Sequence, residues 1–396
     1  MPLLPVAQAL ARILDGVKPT ATQMVPLAQA QGRILAKPVL AKRDQPPFES
    51  SAMDGYAVRA GDGPVLKVTA TSQAGARYKG TLKPGTAIRI FTGAPVPKGA
   101  DAVLIQENTR REGDIITVLE PVAPKQNIRR QGLDFAKGDV LLEAGTKLGP
   151  RHLMLAAAAN CAELAVRSRP RVGLLSTGDE LVAPGEKPGP DQIVSSNSTG
   201  LAALIRHCGG EAVELGIVPD NLTKIRRAIR KAADCDVLLT TGGASVGEHD
   251  LVQSALDAEG IQLSFWKIAM RPGKPLMFAR QARQRILGLP GNPVSAFVCA
   301  RLFLKPLLDS LLGLNPAETP SKARLTAALK ANGDRQDYIR ARLTRAADGG
   351  LTAEPFSTQD SSMQRLLAQA NGLIIRPPFT PASDAGATVD VLELDP

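Results

Sequence analysis

Asp236-Val-Leu-Leu-Thr-Thr-Gly-Gly-Ala-Ser-Val-Gly-Glu-His-Asp250 is the stretch on which the fold of this 396-residue chain turns. A short apolar strand, Val237 to Leu239, runs into two threonines, then three glycines within six positions, then two carboxylates. A strand that ends in a glycine-rich turn brings backbone N–H groups close to a ligand and aims them at anions. Carboxylates at the far end of such a turn repel an anion unless a divalent cation lies between them. The segment therefore predicts a phosphorylated ligand bound with a metal such as Mg²⁺. Thr241, Gly242, Gly243, Ser245 and Gly247 would face the ligand, and Asp250 the metal.

Around this segment, strands alternate with helices. Val172–Ser176 reads as a strand, and Asn197–His207 as a helix stopped by Gly209-Gly210. Glu211–Ile217 is a second strand, followed by a helix over Asn221–Ala233 with an Asn or Asp cap. A helix over Leu251–Ala258 follows the opening segment. Strands joined by helices predict a parallel, doubly wound α/β sheet with its ligand at the strand C-terminal ends. Ser176-Thr-Gly-Asp-Glu-Leu181 lies at one such end and repeats the same logic, which makes Ser176, Thr177 and Gly178 candidate ligand contacts and Glu180 a second acid for ligand or metal binding. Asp220, in Val218-Pro-Asp-Asn221, stands either as a further acid of the crevice or as part of an ordinary helix cap.

The flanks read differently. Residues 5 to 14 predict a helix, and 22 to 37 a second helical stretch interrupted near Gly32. From about 38 to 148 short apolar runs (Val65–Ala70, Ala87–Phe91, Ala102–Gln106, Ile115–Leu119) alternate with Gly and Pro, the pattern of a β-rich region. Arg151–Cys161 reads as a helix. A long helix over Val294–Leu312 precedes 319 to 396, which reads as a small separate β domain.

At 44% hydrophobic and 22% charged residues the composition is that of a globular protein, and no apolar run reaches the roughly 18 residues of a membrane span. Met1-Pro-Leu-Leu-Pro5 lacks the features of a secretory signal, so a cytoplasmic location is expected. The four cysteines form no CxxC pair and read as buried thiols, and with three histidines the chemistry is not expected to rest on histidine. The net charge of +10 accompanies only 3% aromatic residues, so a small polyanion is a more economical partner than nucleic acid.

Cations for such a ligand lie in Phe265-Trp-Lys-Ile-Ala-Met-Arg-Pro-Gly-Lys-Pro275, where Lys267, Arg271 and Lys274 fall within eight residues. Leu289-Pro-Gly-Asn-Pro-Val-Ser295 then turns a strand into a helix, with Pro290, Asn292 and Pro293 where a helix start can meet an anion. Upstream, Ser50-Ser-Ala-Met-Asp-Gly-Tyr-Ala57 carries one acid, Asp54, and Phe91-Thr-Gly-Ala-Pro-Val-Pro97 is a Pro/Gly-pinned turn.

Taken in order, Ser51–Ala57, Thr92–Pro97, Ser176–Leu181, Thr241–Glu248, Arg271–Pro275 and Leu289–Ser295 resemble the motifs of the molybdopterin molybdenumtransferase family, called MoeA in bacteria and represented by the gephyrin E domain in animals. The resemblance spans nearly the whole chain. It implies an enzyme of molybdenum cofactor biosynthesis that inserts molybdate into the dithiolene of adenylylated molybdopterin and releases AMP with Mg²⁺. It also implies a homodimer whose clefts are shared between subunits, with a molybdopterin adenylyltransferase as possible partner. The implied layout is an N-terminal helix (1–21) on an adenylyltransferase-like α/β domain (169–318), connecting helical segments (22–40 and 139–168), an elongated β-rich domain (41–138) and a C-terminal β-barrel (319–396).

By the same resemblance, Glu180 and Asp250 hold the metal, and Lys267, Arg271 and Lys274 neutralise phosphate oxygens. Arg340, in Asp337-Tyr-Ile-Arg340, and Ser361 supply donors to molybdate, while Thr92 and Asp134 belong to the substrate site. Asp54 reaches the cleft from the partner subunit. Two departures stand out. Gly132-Leu-Asp134 occupies a loop in which the family often has Gly-Glu-Asp, and Arg271 stands where lysine is frequent. They leave open an altered oxyanion preference such as tungstate. Two rival readings are an adenylyltransferase, which needs only the α/β region, and a non-enzymatic dimeric scaffold.

Overall fold

In the computed structural model the described residues are 3–242 and 251–394. Two compact units emerge, Met24–Val166 and a second made of Met1–Gln23 with Arg167–Pro396.

The second unit centres on a six-stranded sheet in the order Glu211–Val218, Arg171–Thr177, Val237–Thr241, Gln284–Leu289, Met277–Gln281, Leu263–Trp266. The first four strands are parallel, as the alternating pattern predicts, and Met277–Gln281 runs antiparallel to both of its neighbours. Because Arg171–Thr177 has its sequence successors on opposite sides, a crevice opens beyond its C-terminal end. The strand interiors carry Val172, Leu174, Val237, Leu239, Leu287 and Leu289, all buried. Such apolar runs are what a sheet covered on both faces requires. Helix Val6–Leu14 contributes Ala9 and Ile13 to one face. Arg285 secures it by donating from Nε to the carbonyl oxygen of Ile13 at 3.3 Å and from Nη2 to that of Asp15 at 2.6 Å.

The long C-terminal helix is not uniform. Pro293–Cys299 and Lys305–Leu311 are α-helical, but Ala300–Leu304 forms a π turn. Pro306 has no N–H to donate, and a widened turn beside it lets the chain remain helical. Buried Arg301 emerges from this turn and grips both carboxylate oxygens of Glu318 at 2.7 Å.

In the C-terminal region Gln336–Arg345, Leu351–Pro355, Ser321–Leu325, Thr388–Glu393 and Gly372–Arg376 close into a five-stranded barrel through pairing of the first with the last. Its interior is lined by Ala323, Ala341 and Ala353 together with Leu325, Leu343, Ile374, Val389 and Val391. Small residues suit the cramped axis of so narrow a barrel. The barrel has its own interior and also packs against the preceding helix. Tyr338, Leu373, Leu392 and Leu394 belong to the same buried cluster as Phe303, Leu304 and Leu307 of the preceding helix. Periodicity marks which residues are apolar but not which neighbour they cover.

Within Met24–Val166 a six-stranded sheet runs Ala102–Ile105, Gly55–Val58, Thr86–Ile90, Val65–Ser72, Ile115–Val118, Thr109–Glu112. The helical reading of 22 to 37 is wrong: Thr22–Pro26 is a strand, Leu27–Gln29 a single 3-10 turn, and Ile34 and Leu35 bridge to Lys147 and Val166. Pro26 and Pro38 bracket the stretch, and its backbone hydrogen bonds go to distant partners. The Leu27 N–H donates to Ala162 O and that of Ala36 to Ala165 O. The expected helix after it is present as Pro150–Ala158.

Glu259, just beyond helix Leu251–Ala258, accepts from Nε of Arg226 at 2.6 Å and Nε of Arg230 at 2.7 Å. These bonds, that from Arg230 first, hold its carboxyl at about 2 instead of 4.5. A depressed carboxylate stabilises the fold above its unfolded value, and that contribution is lost as pH falls from 4.5 toward 2. Urea titrations at pH 7 and pH 3 should therefore show a smaller drop in midpoint for Glu259→Gln than for the unsubstituted protein. Equal drops would mean that the clamp does not stabilise the fold.

Candidate active site

At the C-terminal ends of strands Arg171–Thr177 and Val237–Thr241, the hydroxyls of Ser176 and Thr241 lie 3.1 Å apart, both buried. One step further, Gly242 adopts φ +90°, and a Cβ there would strike the carbonyl oxygen of Thr177. Only glycine allows the two strand ends to run this close. Gly178 favours glycine through its φ of +148°, and the carboxylate of Glu180 folds back over it.

A cleft of about 570 Å³ opens here. Of the residues singled out in the sequence, Thr177, Glu180, Thr241, Gly242, Pro290, Asn292 and Pro293 line it. The Thr177 hydroxyl is buried and has no hydrogen-bond partner among the described residues, so the cleft wall carries one unsatisfied polar atom. Gly243, Ser245, Gly247 and Asp250 lie outside the described residues. Asp220 is on the next loop and does not line the cleft; its N–H donates to Asp179 Oδ1 at 3.2 Å. Asn221, not Asp220, caps the following helix by accepting from the Lys224 N–H at 3.1 Å.

Sequence reasoning missed one wall. Ser195, Ser196 and Asn197 line the cleft, and Asn197 Nδ2 donates to the Gly291 carbonyl at 2.8 Å, joining the start of its helix to the Pro290–Pro293 turn. The signal was the polar run Ser195-Ser-Asn-Ser-Thr199 before a helix, a pattern that serves capping and binding alike.

Lys267, Arg271 and Lys274 share a hairpin closed by hydrogen bonds from Lys267 N to Leu276 O and from Ile268 N to Lys274 O. It meets the cleft at Pro275. Lys267 Nζ sits 4.0 Å from the centroid of the Trp266 ring, and the Arg271 guanidinium is paired with Asp337. A stacked ammonium and a paired guanidinium are restrained cations rather than freely solvated ones.

The C-terminal region supplies the last wall through Ser362 and Gln364. Asn292 Nδ2 donates to Ser361 Oγ at 2.9 Å, the Val294 N–H donates to Ser361 O at 3.1 Å, and Ser362 lines the cleft. Arg340 has a different position from the one implied by the resemblance. Its side chain is buried, and it donates to the carbonyls of Asp360 at 2.8 Å and Met363 at 3.1 Å. Burial also pulls its guanidinium down from the ordinary arginine range, with Asp360 opposing. In this arrangement Arg340 anchors the Ser361 loop instead of presenting donors to an oxyanion.

In Met24–Val166 the two upstream motifs converge. Asp54 Oδ1 accepts from the backbone N–H of Thr92 at 2.7 Å and from its hydroxyl at 2.9 Å, and these bonds, the backbone one first, hold the Asp54 carboxyl below the ordinary range. Asp134 is exposed, its N–H donating to Gln45 O at 2.9 Å, and shares no hydrogen bond with Asp54 or Thr92 among the described residues.

Fold and site together define a multidomain protein built round a nucleotide-type crevice in an α/β sheet, walled on one side by a barrel. Family comparison sharpens this. Residues 4–160 match the MoeA N-terminal region (domain I and II), 173–310 the probable molybdopterin binding domain, and 322–394 the MoeA C-terminal region (domain IV). A molybdopterin molybdenumtransferase of Nostoc sp. is 39% identical over 388 residues, covering 94% of this chain and 89% of that one. The Haemophilus influenzae protein of the same name is 36% identical over 397 residues, covering 98% of both. The crystal structure of a molybdopterin biosynthesis MoeA protein from Pyrococcus horikosii superposes with a TM-score of 0.88 at 30% identity over 100% of both chains. The chain belongs to the molybdopterin molybdenumtransferase (MoeA) family.

Gly242→Ala tests the strand-end geometry. It forces a left-handed alanine against the Thr177 carbonyl, a strain of about 1–3 kcal/mol. Calorimetric titration with adenosine monophosphate should show clearly weaker binding than the unsubstituted protein, with the bulk of the far-UV circular dichroism retained. Unchanged affinity would show that this close approach does not shape the cleft.

Proposed function

We propose that the protein inserts molybdate into the dithiolene of adenylylated molybdopterin, releasing AMP. The observation that carries this reading is the cleft at the sheet's switch point: a Thr177 hydroxyl without a partner among the described residues and the Glu180 carboxylate in its lining, a hairpin of three cations at its edge, and the Ser361 loop of the barrel beside it. A pyrophosphate-linked nucleotide needs cations near its bridging oxygens, and Lys267, Arg271 and Lys274, on the hairpin that meets the cleft at Pro275, would supply them. Thr177 and the turn at Gly242 give short-range donors for one end of the substrate, and Ser361 and Ser362 for the other. The chemistry needs no covalent nucleophile, because orientation and charge neutralisation lower the barrier to loss of AMP.

Magnesium fits this site as an ion shared with substrate. Among the described residues no three His, Cys, Asp or Glu side chains converge, and Glu180 is the carboxylate lining the cleft. Mg²⁺ commonly takes one or two carboxylates and completes its shell with phosphate oxygens and water. Glu180, with Asp250 from the glycine-rich segment, would hold it, and it would supply charge neutralisation at the phosphoanhydride.

Asp54 is assigned to the cleft of a partner subunit in a homodimer. Leu40 and Val140, which pair across two strands, are 48% and 52% exposed, and Met154 on helix Pro150–Ala158 is 78% exposed. That much uncovered apolar surface is apt for a subunit interface. An adenylyltransferase alone accounts for neither the barrel wall nor the Asp54–Thr92 pair, and no helix of the described residues is long and apolar enough to cross a membrane.

With adenylylated molybdopterin and Mg²⁺, AMP release should depend on added molybdate, and Glu180→Gln should slow it on the order of 10²-fold. Release indifferent to molybdate would sink the insertase reading. The shared cleft has its own test in mixed dimers. Asp54→Asn and Glu180→Gln chains, each inactive alone, should regain about a quarter of normal activity when mixed, because half the dimers are mixed and each has one intact site. No recovery would place Asp54 and Glu180 of one chain in the same site, and an active Asp54→Asn protein would place Asp54 in none.

A further inference from the structure

The cation hairpin is held from two sides. Leu4 bridges to Ile268, and the Ala269 N–H donates to Leu4 O at 2.8 Å. On the other side Met270–Arg271 pairs in parallel with Gln336 and Asp337 of the barrel, and the Gln336 N–H donates to Ala269 O at 2.9 Å. Asp337 does more than extend this ladder, because its Oδ2 accepts from Nη2 of Arg271. The Asp337 side chain is 5% exposed and that of Arg271 59%. One edge of the guanidinium is thus tied to a buried carboxylate while the rest faces solvent.

A guanidinium has five N–H donors in a rigid plane, so it can keep one acceptor and present its remaining donors to another. An ammonium has three donors on one nitrogen, without separate edges fixed in a plane. A lysine drawn to Asp337 would point its single charge at the acid. Across the ladder from Asp337 stands Arg376, 2% exposed, with Nε and Nη1 buried and without a partner among the described residues. Its charge is felt by Asp337 through space, and together with that of Arg271 it exceeds the single negative charge of the acid, which favours an anion at the exposed edge of Arg271.

We infer that Asp337 is a positioning residue: it pins one edge of the Arg271 guanidinium so that the free edge receives an oxygen of a tetrahedral oxyanion, molybdate or the nucleotide phosphate. This rests on the insertase reading of the cleft. It also gives the arginine at 271, where the family often has lysine, a structural counterpart in this chain.

Full-length Asp337→Asn, Asp337→Glu, Arg271→Ala and the double variant Asp337→Asn/Arg271→Ala test it. Calorimetry with molybdate alone and with AMP alone gives the affinities and separates the two sources, and AMP release gives KM and kcat. Asp337→Asn should weaken binding of one of the two anions about tenfold and raise the matching KM, with kcat within about twofold. Asp337→Glu should recover part of the loss, and the double variant should bind no worse than Arg271→Ala. Unchanged affinity for both anions in Asp337→Asn, or losses that add in the double variant, would overturn the proposal. Should Asp337→Asn not fold, Arg271→Ala decides alone, since normal affinity for both anions there removes the guanidinium from the site. Failure of the insertase reading is distinguishable: it appears as molybdate-independent AMP release by the unsubstituted protein, whatever the anion affinities.

Discussion

The parallel pairing of Arg171–Thr177 with Val237–Thr241 is the constraint on which the site depends. It sets two strand ends side by side, brings the hydroxyls of Ser176 and Thr241 into contact, and forces Gly242 against the Thr177 carbonyl. A buried hydroxyl without a partner costs about 1–3 kcal/mol, and among the described residues Thr177 carries such a hydroxyl at the strand end. The pairing is held by strands buried on both faces, and the apolar side chains that hold it are insensitive to what occupies the cleft.

Charge is arranged around that frame by partners outside the sheet. Arg271 is oriented by Asp337, the Ser361 loop by buried Arg340 and by Asn292, and the far end of helix Leu251–Ala258 by Glu259 between two arginines. Arg271 and the Ser361 loop are thus each positioned by a polar group from another element, Asp337 of the barrel for the first and Asn292 for the second. This is why the barrel shares a core with the helix Lys305–Leu311 and its neighbours instead of standing apart. A barrel free to move could not hold Arg271 and Ser361 in register with the strand ends.

The strand–helix alternation from Val172 to Ala258, the barrel's β character and the glycine turns were legible because period and turn chemistry are local properties. So was the family, since six motifs in order are rarely met by chance. Residues 22 to 37 misled because Leu, Ala and Gln favour helix locally, whereas their backbone groups bond to Ala162 and Ala165 far along the chain. Arg340 misled for a related reason: a motif identifies an arginine but not the acceptors its donors reach. Asn197 escaped notice because a capping residue and a cleft-lining residue read alike.

By itself, the sequence determined which segments are strands ending in glycine turns, and which residues could carry charge to an anion. These follow from backbone freedom and side-chain chemistry at single positions. Only the tertiary structure decided which of them share a cleft, that Asp220 sits on a neighbouring loop, that Arg340 is an anchor, and that Arg271 is held by a buried acid 66 residues away. Those outcomes depend on burial and on contacts between distant segments. No local pattern encodes such contacts, because what a polar side chain does is set by whichever group meets it once water is excluded.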